Sequence, residues 1–332
     1  MILLVLGGWQ RWAGLGLAIL GILAILDTHP FRSSAFTQFD GDQGVAPYQE
    51  VLNYANEQDI LAFWAHPESN RDVQDLGIIK METKRYPNDI LKTFGADGVE
   101  TAYQDTIHIT EAGMQWDMAL LQYLRGERSK PLWGVGGIDF HLDQPGTRLS
   151  HVQSVLLVPE LSAAAALDAL RRGRMYALRR GDDYQLVLHT FTLTDVTTGK
   201  SAQAGETLVL QGPPSVPSIE APQVEVIVAA TNQQRVAVTV EIIRSGRRMD
   251  LLQGTTPLRV LRRDAQADHK EPAFYRIYVQ GPRPNYVVSN PIFVRPGAPS
   301  ETAPPPAASS PGSSPGTAAP SNPAARAGAA GR

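Results

Sequence analysis

The chain has 332 residues, room for two domains of ordinary size, and its 43% hydrophobic and 19% charged residues suit a globular protein with a real core. A net charge of -3 with no basic stripe argues against nucleic acid as a partner. The absence of cysteine removes disulfides, thiolate nucleophiles and zinc–cysteine sites together, and leaves the redox compartment open.

Residues 1–26 form an apolar N-terminal segment, broken only by Gln10 and Arg11. The uncharged run from Trp12 to Leu26 makes roughly 22 Å of helix at 1.5 Å per residue, short of the ~30 Å hydrocarbon core. Adding the residues before it gives enough length but sets Arg11 near mid-membrane unless it snorkels. A signal peptide fits the length of the run, yet no small-x-small cleavage site follows. The expectation is a membrane-anchored or exported chain, with a buried segment as the remaining alternative.

Residues 27–183 alternate short apolar strands with helical stretches. A helix from Tyr48 to Gln58, with Val51, Leu52 and Ala55 on one face, leads into the strand Ile60–Ala65. A short helix near Ile90–Phe94 precedes the strand Gly98–Tyr103. A helix over Trp116–Tyr123 precedes the strand Leu132–Ile138, and Ser154–Val158 is the next strand. The plainest helix signal follows: Ser162 as N-cap, an alanine-rich body, Arg171 and Arg172 in the last turn, and Gly173 at the stop. Such alternation predicts a mostly parallel α/β sheet or barrel.

After Asp183 the pattern changes. Tyr184–Leu193, Thr207–Leu210, Val224–Val228, Val236–Ile242, Leu258–Leu261, Phe274–Val279 and Tyr286–Val294 read as strands separated by glycine and proline. Val236, Val238, Val240 and Ile242 alternate with Ala237, Thr239 and Glu241, a period of two with one buried face. An antiparallel β-sandwich over residues 184–295 is expected. Residues 296–332, made of proline, alanine, serine and glycine, are expected to be a disordered tail, because they bury too little to offset their conformational entropy.

In an α/β architecture functional groups collect where parallel strands end. His66 follows one such strand in His66-Pro67-Glu68. Glu100 ends another. Asp139 and His141 follow a third in Gly137-Ile138-Asp139-Phe140-His141. On an extended backbone a D-x-H pair points one way, and an imidazole and a carboxylate so placed can share a divalent metal ion, zinc, manganese or similar. The bland alternative is a hydrogen-bonded pair that caps a strand end.

These motifs, in this order, resemble the later part of PHP (polymerase and histidinol phosphatase) domains. The resemblance runs from about residue 45 to 294. It includes Leu167-Asp168-Ala169-Leu170-Arg171-Arg172-Gly173-Arg174-Met175-Tyr176-Ala177 and the closing Ser289-Asn290-Pro291-Ile292-Phe293-Val294. It implies an irregular βα barrel followed by the β domain, and hydrolysis of phosphate esters by metal-activated water. By the resemblance His66, Asp139 and His141 are metal positions, and Glu100 is an acidic position suited to orienting a ligand histidine. The chain departs from the family in having no His-x-His. The local substitute is His29, in Asp27-Thr28-His29-Pro30, which matches no family motif. The expected function is thus a PHP-like hydrolase of phosphorylated small molecules with an incomplete metal site. The alternatives are a degenerate PHP-like scaffold used for binding or assembly, and a chain that begins downstream of a part carrying His-x-His.

Overall fold

The computed structural model describes residues 9–28, 36, 41–69, 71–75, 77, 80–104, 107–140, 148–211, 220–267 and 269–297. His29, His141 and, of the tail expected over residues 296–332, residues 298–332 lie outside these residues, while Pro296 ends the last strand and Gly297 N bonds Leu210 O. The protein is mixed α/β, with few helices and many strands in several sheets.

Helix α1 (Trp9–Thr28) has exposed apolar side chains from Trp12 to Leu26, and none of its described side chains is in the cores. Among the described residues no helix is long and apolar enough to cross a membrane. Helix α2 (Ala46–Glu57) starts at a proline-containing first turn and buries Leu52 and Ala55. Val51, expected on the same face, is instead 65% exposed. Strand β1 (Phe63–Trp64) is only two residues long, since the Ala62 N–H goes to the Asp97 carboxylate (2.8 Å) rather than to a strand. A hairpin, β2 (Arg71–Asp75) and β3 (Lys80–Thr83), and the short helix α3 (Asp89–Lys92) lead to β4 (Gly98–Ala102). Helix α4 (Gln115–Leu124) leads to β5 (Trp133–Gly136).

Strands β1, β4 and β5 form one parallel sheet in that order, with Phe63 opposite Gly98 and Gly98 opposite Trp133. The barrel expected from the sequence is not seen: among the described residues this sheet stays open at three strands, with no further parallel strands to close it. A single 3-10 turn (Leu149–His151) then enters β6 (Val152–Leu156). Helix α5 (Ala163–Arg172) begins where Ser162 Oγ accepts from Ala165 N (3.2 Å) and stops at Gly173, whose φ of +68° is left-handed. There the chain turns under the Trp133 ring, and a Cβ at 173 would overlap that ring. Strand β7 (Met175–Arg179) follows.

The remaining strands are β8 (Leu186–Thr194), β9 (Ser201–Gln203), β10 (Thr207–Leu210), β11 (Gln223–Ala230), β12 (Ala237–Arg244), β13 (Arg247–Thr255), β14 (Leu258–Arg263), β15 (Ala273–Gln280), β16 (Tyr286–Ser289) and β17 (Ile292–Pro296). With β6 and β7 they build a four-stranded sheet, β14-β11-β8-β9, and an eight-stranded sheet along β10-β17-β15-β16-β7-β6, with β12 paired to β15 and β13 to β12. All pairs are antiparallel except β10–β17, which is parallel, a departure from the purely antiparallel expectation. Alternation on β12 and β15 sends Val238, Val240, Ile242, Tyr275, Ile277 and Val279 into a core shared with Val224, Val226 and Phe191 of the facing sheet.

The other face of the eight-stranded sheet covers the α/β layer. Phe274, Val288 and Phe293 pack with Ile90, Val99, Trp116, Leu120 and Trp133 in a second core. Strands β6 and β7, which precede residue 183, hydrogen-bond into the eight-stranded sheet, so the two layers share strands as well as a core. Two buried polar contacts fasten them. Asn290 accepts from Gly134 N (2.6 Å) and donates to Gly134 O (2.9 Å) and Met175 O (3.2 Å). Arg276 on β15 grips Asp117 on α4 with both partners fully buried.

Candidate functional site

Because β1, β4 and β5 are parallel, their carboxyl ends lie on one side, and the chain leaves each strand into the same region. His66 comes two residues after β1, Tyr103 directly after β4, and Asp139 three residues after β5. Glu100 lies within β4 rather than at its end. His66 and Asp139 have positive φ (26° and 51°), a backbone that costs of order 1–3 kcal/mol in non-glycine residues and gathers at functional sites.

The contacts run as a chain. Glu100 Oε2 accepts from the His66 backbone N–H (2.5 Å) and lies 3.1 Å from His66 Nδ1. An oxygen that already accepts one N–H is an acceptor for the ring as well, so Nδ1–H is the donor toward Glu100. The His66 ring stacks on Tyr103, centroids 5.1 Å apart. The Tyr103 hydroxyl donates to Asp139 Oδ2 (3.3 Å). Burial raises the Glu100 carboxyl above its ordinary range. The His66 hydrogen bonds and charge pull it down, and Asp139 adds to the rise. Gly137 is required by this packing, since a Cβ there would overlap the Glu100 carboxylate.

A pocket of about 330 Å3 opens beside this chain, lined by His66, Glu68, Arg85, Glu100, Tyr103 and His108 among others. Glu68 accepts from the backbone N–H groups of His108 (2.6 Å) and Ile109 (2.9 Å), which fixes the loop that walls the pocket. Arg85 is exposed at the rim with no acidic partner among the described residues.

His66, Glu100 and Asp139 are thus brought to one place, while His141 and His29 fall outside the described residues. Glu100 stands beside His66, its Oε2 3.1 Å from Nδ1. Among the described residues no three histidine, aspartate or glutamate side chains group closely enough to hold a metal ion. The described donors therefore do not fit a metal by themselves: Glu100 is spent on His66, and Tyr103 stands between His66 and Asp139.

No protein-family model and no curated protein matches this chain. The likeness to PHP domains rests on the motifs alone.

The sequence reading passed over Tyr103, Glu68 and Arg85. Tyr103 could have been found from its place directly after a strand. Glu68 and Arg85 carry no local signal, since their roles depend on a loop some forty residues from Glu68 and on the fold of the β2–β3 hairpin.

Proposed function

We propose that the chain is a PHP-like hydrolase of phosphate esters with an incomplete metal site, its parallel sheet corresponding to the later part of the family's barrel. The observation that carries this reading is the meeting of His66 and Asp139, each just past the end of a parallel strand and on strained backbone, with Glu100 inside the strand between those two. A divalent ion there would need His141 beside His66 and Asp139. Arg85 at the rim suits the oxygens of a phosphate. The exposed apolar surface of α1 supports attachment to a membrane through residues 1–26.

A second reading, a PHP-like scaffold that binds without turnover, is favoured by one observation: the described donors do not make a three-ligand group. Metal analysis and a generic phosphate-ester assay on the full chain, beside an Asp139→Ala, His141→Ala double variant, decide between them. The hydrolase reading expects a bound divalent ion and slow turnover, both lost in the variant. Metal bound without turnover selects the scaffold. Equal metal content in both proteins removes the metal site.

A further inference from the structure

A larger groove, about 890 Å3, lies beside the pocket and shares Ile107 with it. None of His66, Glu100 or Asp139 lines it. Its floor is the part of the eight-stranded sheet that extends past the α/β layer. On β15 the alternation that buries Tyr275, Ile277 and Val279 turns Phe274, Arg276, Tyr278 and Gln280 to the other face. Phe274 and Arg276 are covered. Tyr278 and Gln280 line the groove. The register extends the floor sideways: Thr239 pairs with Gln280, Gln280 with Tyr286, and Tyr286 with Arg179. The loop over residues 107–112 is the wall.

Two features mark the floor. Tyr278 and Tyr286 stack at 5.7 Å and 23°, forming an aromatic platform. The Tyr286 hydroxyl is engaged with the Tyr103 backbone (3.0 and 3.1 Å), but the Tyr278 hydroxyl has no partner among the described residues. Beside the platform stand Arg179, half-buried, and Arg283, exposed on the β15–β16 turn, neither with an acidic partner among the described residues. Two acids also line the groove, each with a contact of its own. Glu241 holds Arg248 (2.6 Å), and Glu111 holds His108 (2.8 Å). A half-buried guanidinium without a partner loses hydration and gains nothing in return unless an anion meets it.

We propose that this groove is a binding site for a small organic anion that joins a flat ring to one acidic group. Arg179 and Arg283 take the acid, and the Tyr278–Tyr286 platform takes the ring. The inference goes beyond the proposed hydrolase and stands on different residues, so either can fail alone.

The probes are phenylphosphonate and benzoate, which share a ring and differ in the acid. Inorganic phosphate supplies the charge without the ring, and benzyl alcohol the ring without the charge. Each is titrated calorimetrically into the full chain, with near-ultraviolet circular dichroism reporting the tyrosines. At least one of the two ring-bearing anions binds and perturbs the tyrosine signal, and the stronger names the acid. Inorganic phosphate and benzyl alcohol bind at least about tenfold more weakly. Arg283→Gln, at an exposed position that folding does not need, weakens the ring-bearing anion about tenfold, and Arg179→Gln does the same or more. Tyr278→Leu abolishes the tyrosine signal. His66→Ala leaves binding unchanged. Failure of both ring-bearing probes to bind, equal affinity in the two arginine variants and the unmodified chain, or loss of binding in His66→Ala each overturns the proposal.

Discussion

Arg276 and Asp117 lie 159 residues apart in sequence and both are 0% exposed. Arg276 Nε donates to Asp117 Oδ1 (2.6 Å), and Nη2 donates to Asp117 Oδ2 (2.7 Å) and to Thr110 O (2.8 Å). The guanidinium sits 4.9 Å from the Trp116 ring, and its Nη1 has no partner. Arg276→Met leaves the carboxylate in the core with one remaining donor, Gly113 N (2.8 Å). Removing one member of a buried pair costs about 3–5 kcal/mol, because the other charge stays desolvated. For a folded unit of this size that lowers the melting temperature by roughly 6–20 °C. Asp117→Leu should cost a similar amount. The Arg276→Met, Asp117→Leu double variant should recover most of the loss, since no charge is then left unpaired, and Nη1 never had a partner to lose. Chemical and thermal unfolding of the four proteins gives the cycle. Single variants within about 1 kcal/mol of the unmodified chain, or a double variant as damaged as the sum of the singles, would refute the reasoning. The same pair holds Thr110 and α4 on β15, so the single variants should also loosen the loop that walls both pocket and groove.

Asn290→Ala should cost about 3 kcal/mol, because the buried Gly134 amide and carbonyl and the Met175 carbonyl all lose their side-chain partner. Guanidinium unfolding should show a lower midpoint at an unchanged slope. Burial, with Tyr48, Glu100 and Asp89 adding to it, pushes the Tyr86 hydroxyl up to about 12 from its ordinary 10.0. The unfolded chain ionises first, so this group's contribution is complete below pH 10 and is lost as pH rises through about 12. Tyr86→Phe should remove that alkaline loss, at the expense of its hydrogen bond to Ala65 O (2.5 Å), and midpoints measured across this range check it.

Local sequence was enough for the elements whose signals are local. Ser162 and Gly173 bound α5 as their capping chemistry requires, and the period-two run before Arg244 is β12 with its valines inward. Three of the strand-end candidates could be named because each follows its own apolar run. The hairpin of β2 and β3 and the edge strand β13 escaped. Their residues are largely polar, and an edge strand needs no continuous apolar face.

What the sequence by itself determined, then, is the local grammar: an α/β part, a β part, an apolar start, and His66, Glu100 and Asp139 at or near strand ends. The tertiary structure decided everything that depends on which strand lies beside which. It kept the parallel sheet open at β1 among the described residues, and drew β6 and β7 into the sheet of the other layer. It set Tyr103 between His66 and Asp139, and put Arg179 and Arg283, with no acidic partner among the described residues, beside two stacked tyrosines. Periodicity fixes which face of an element is buried. The partner of that face is chosen by packing among residues more than a hundred positions apart, and a single sequence carries no local trace of that choice.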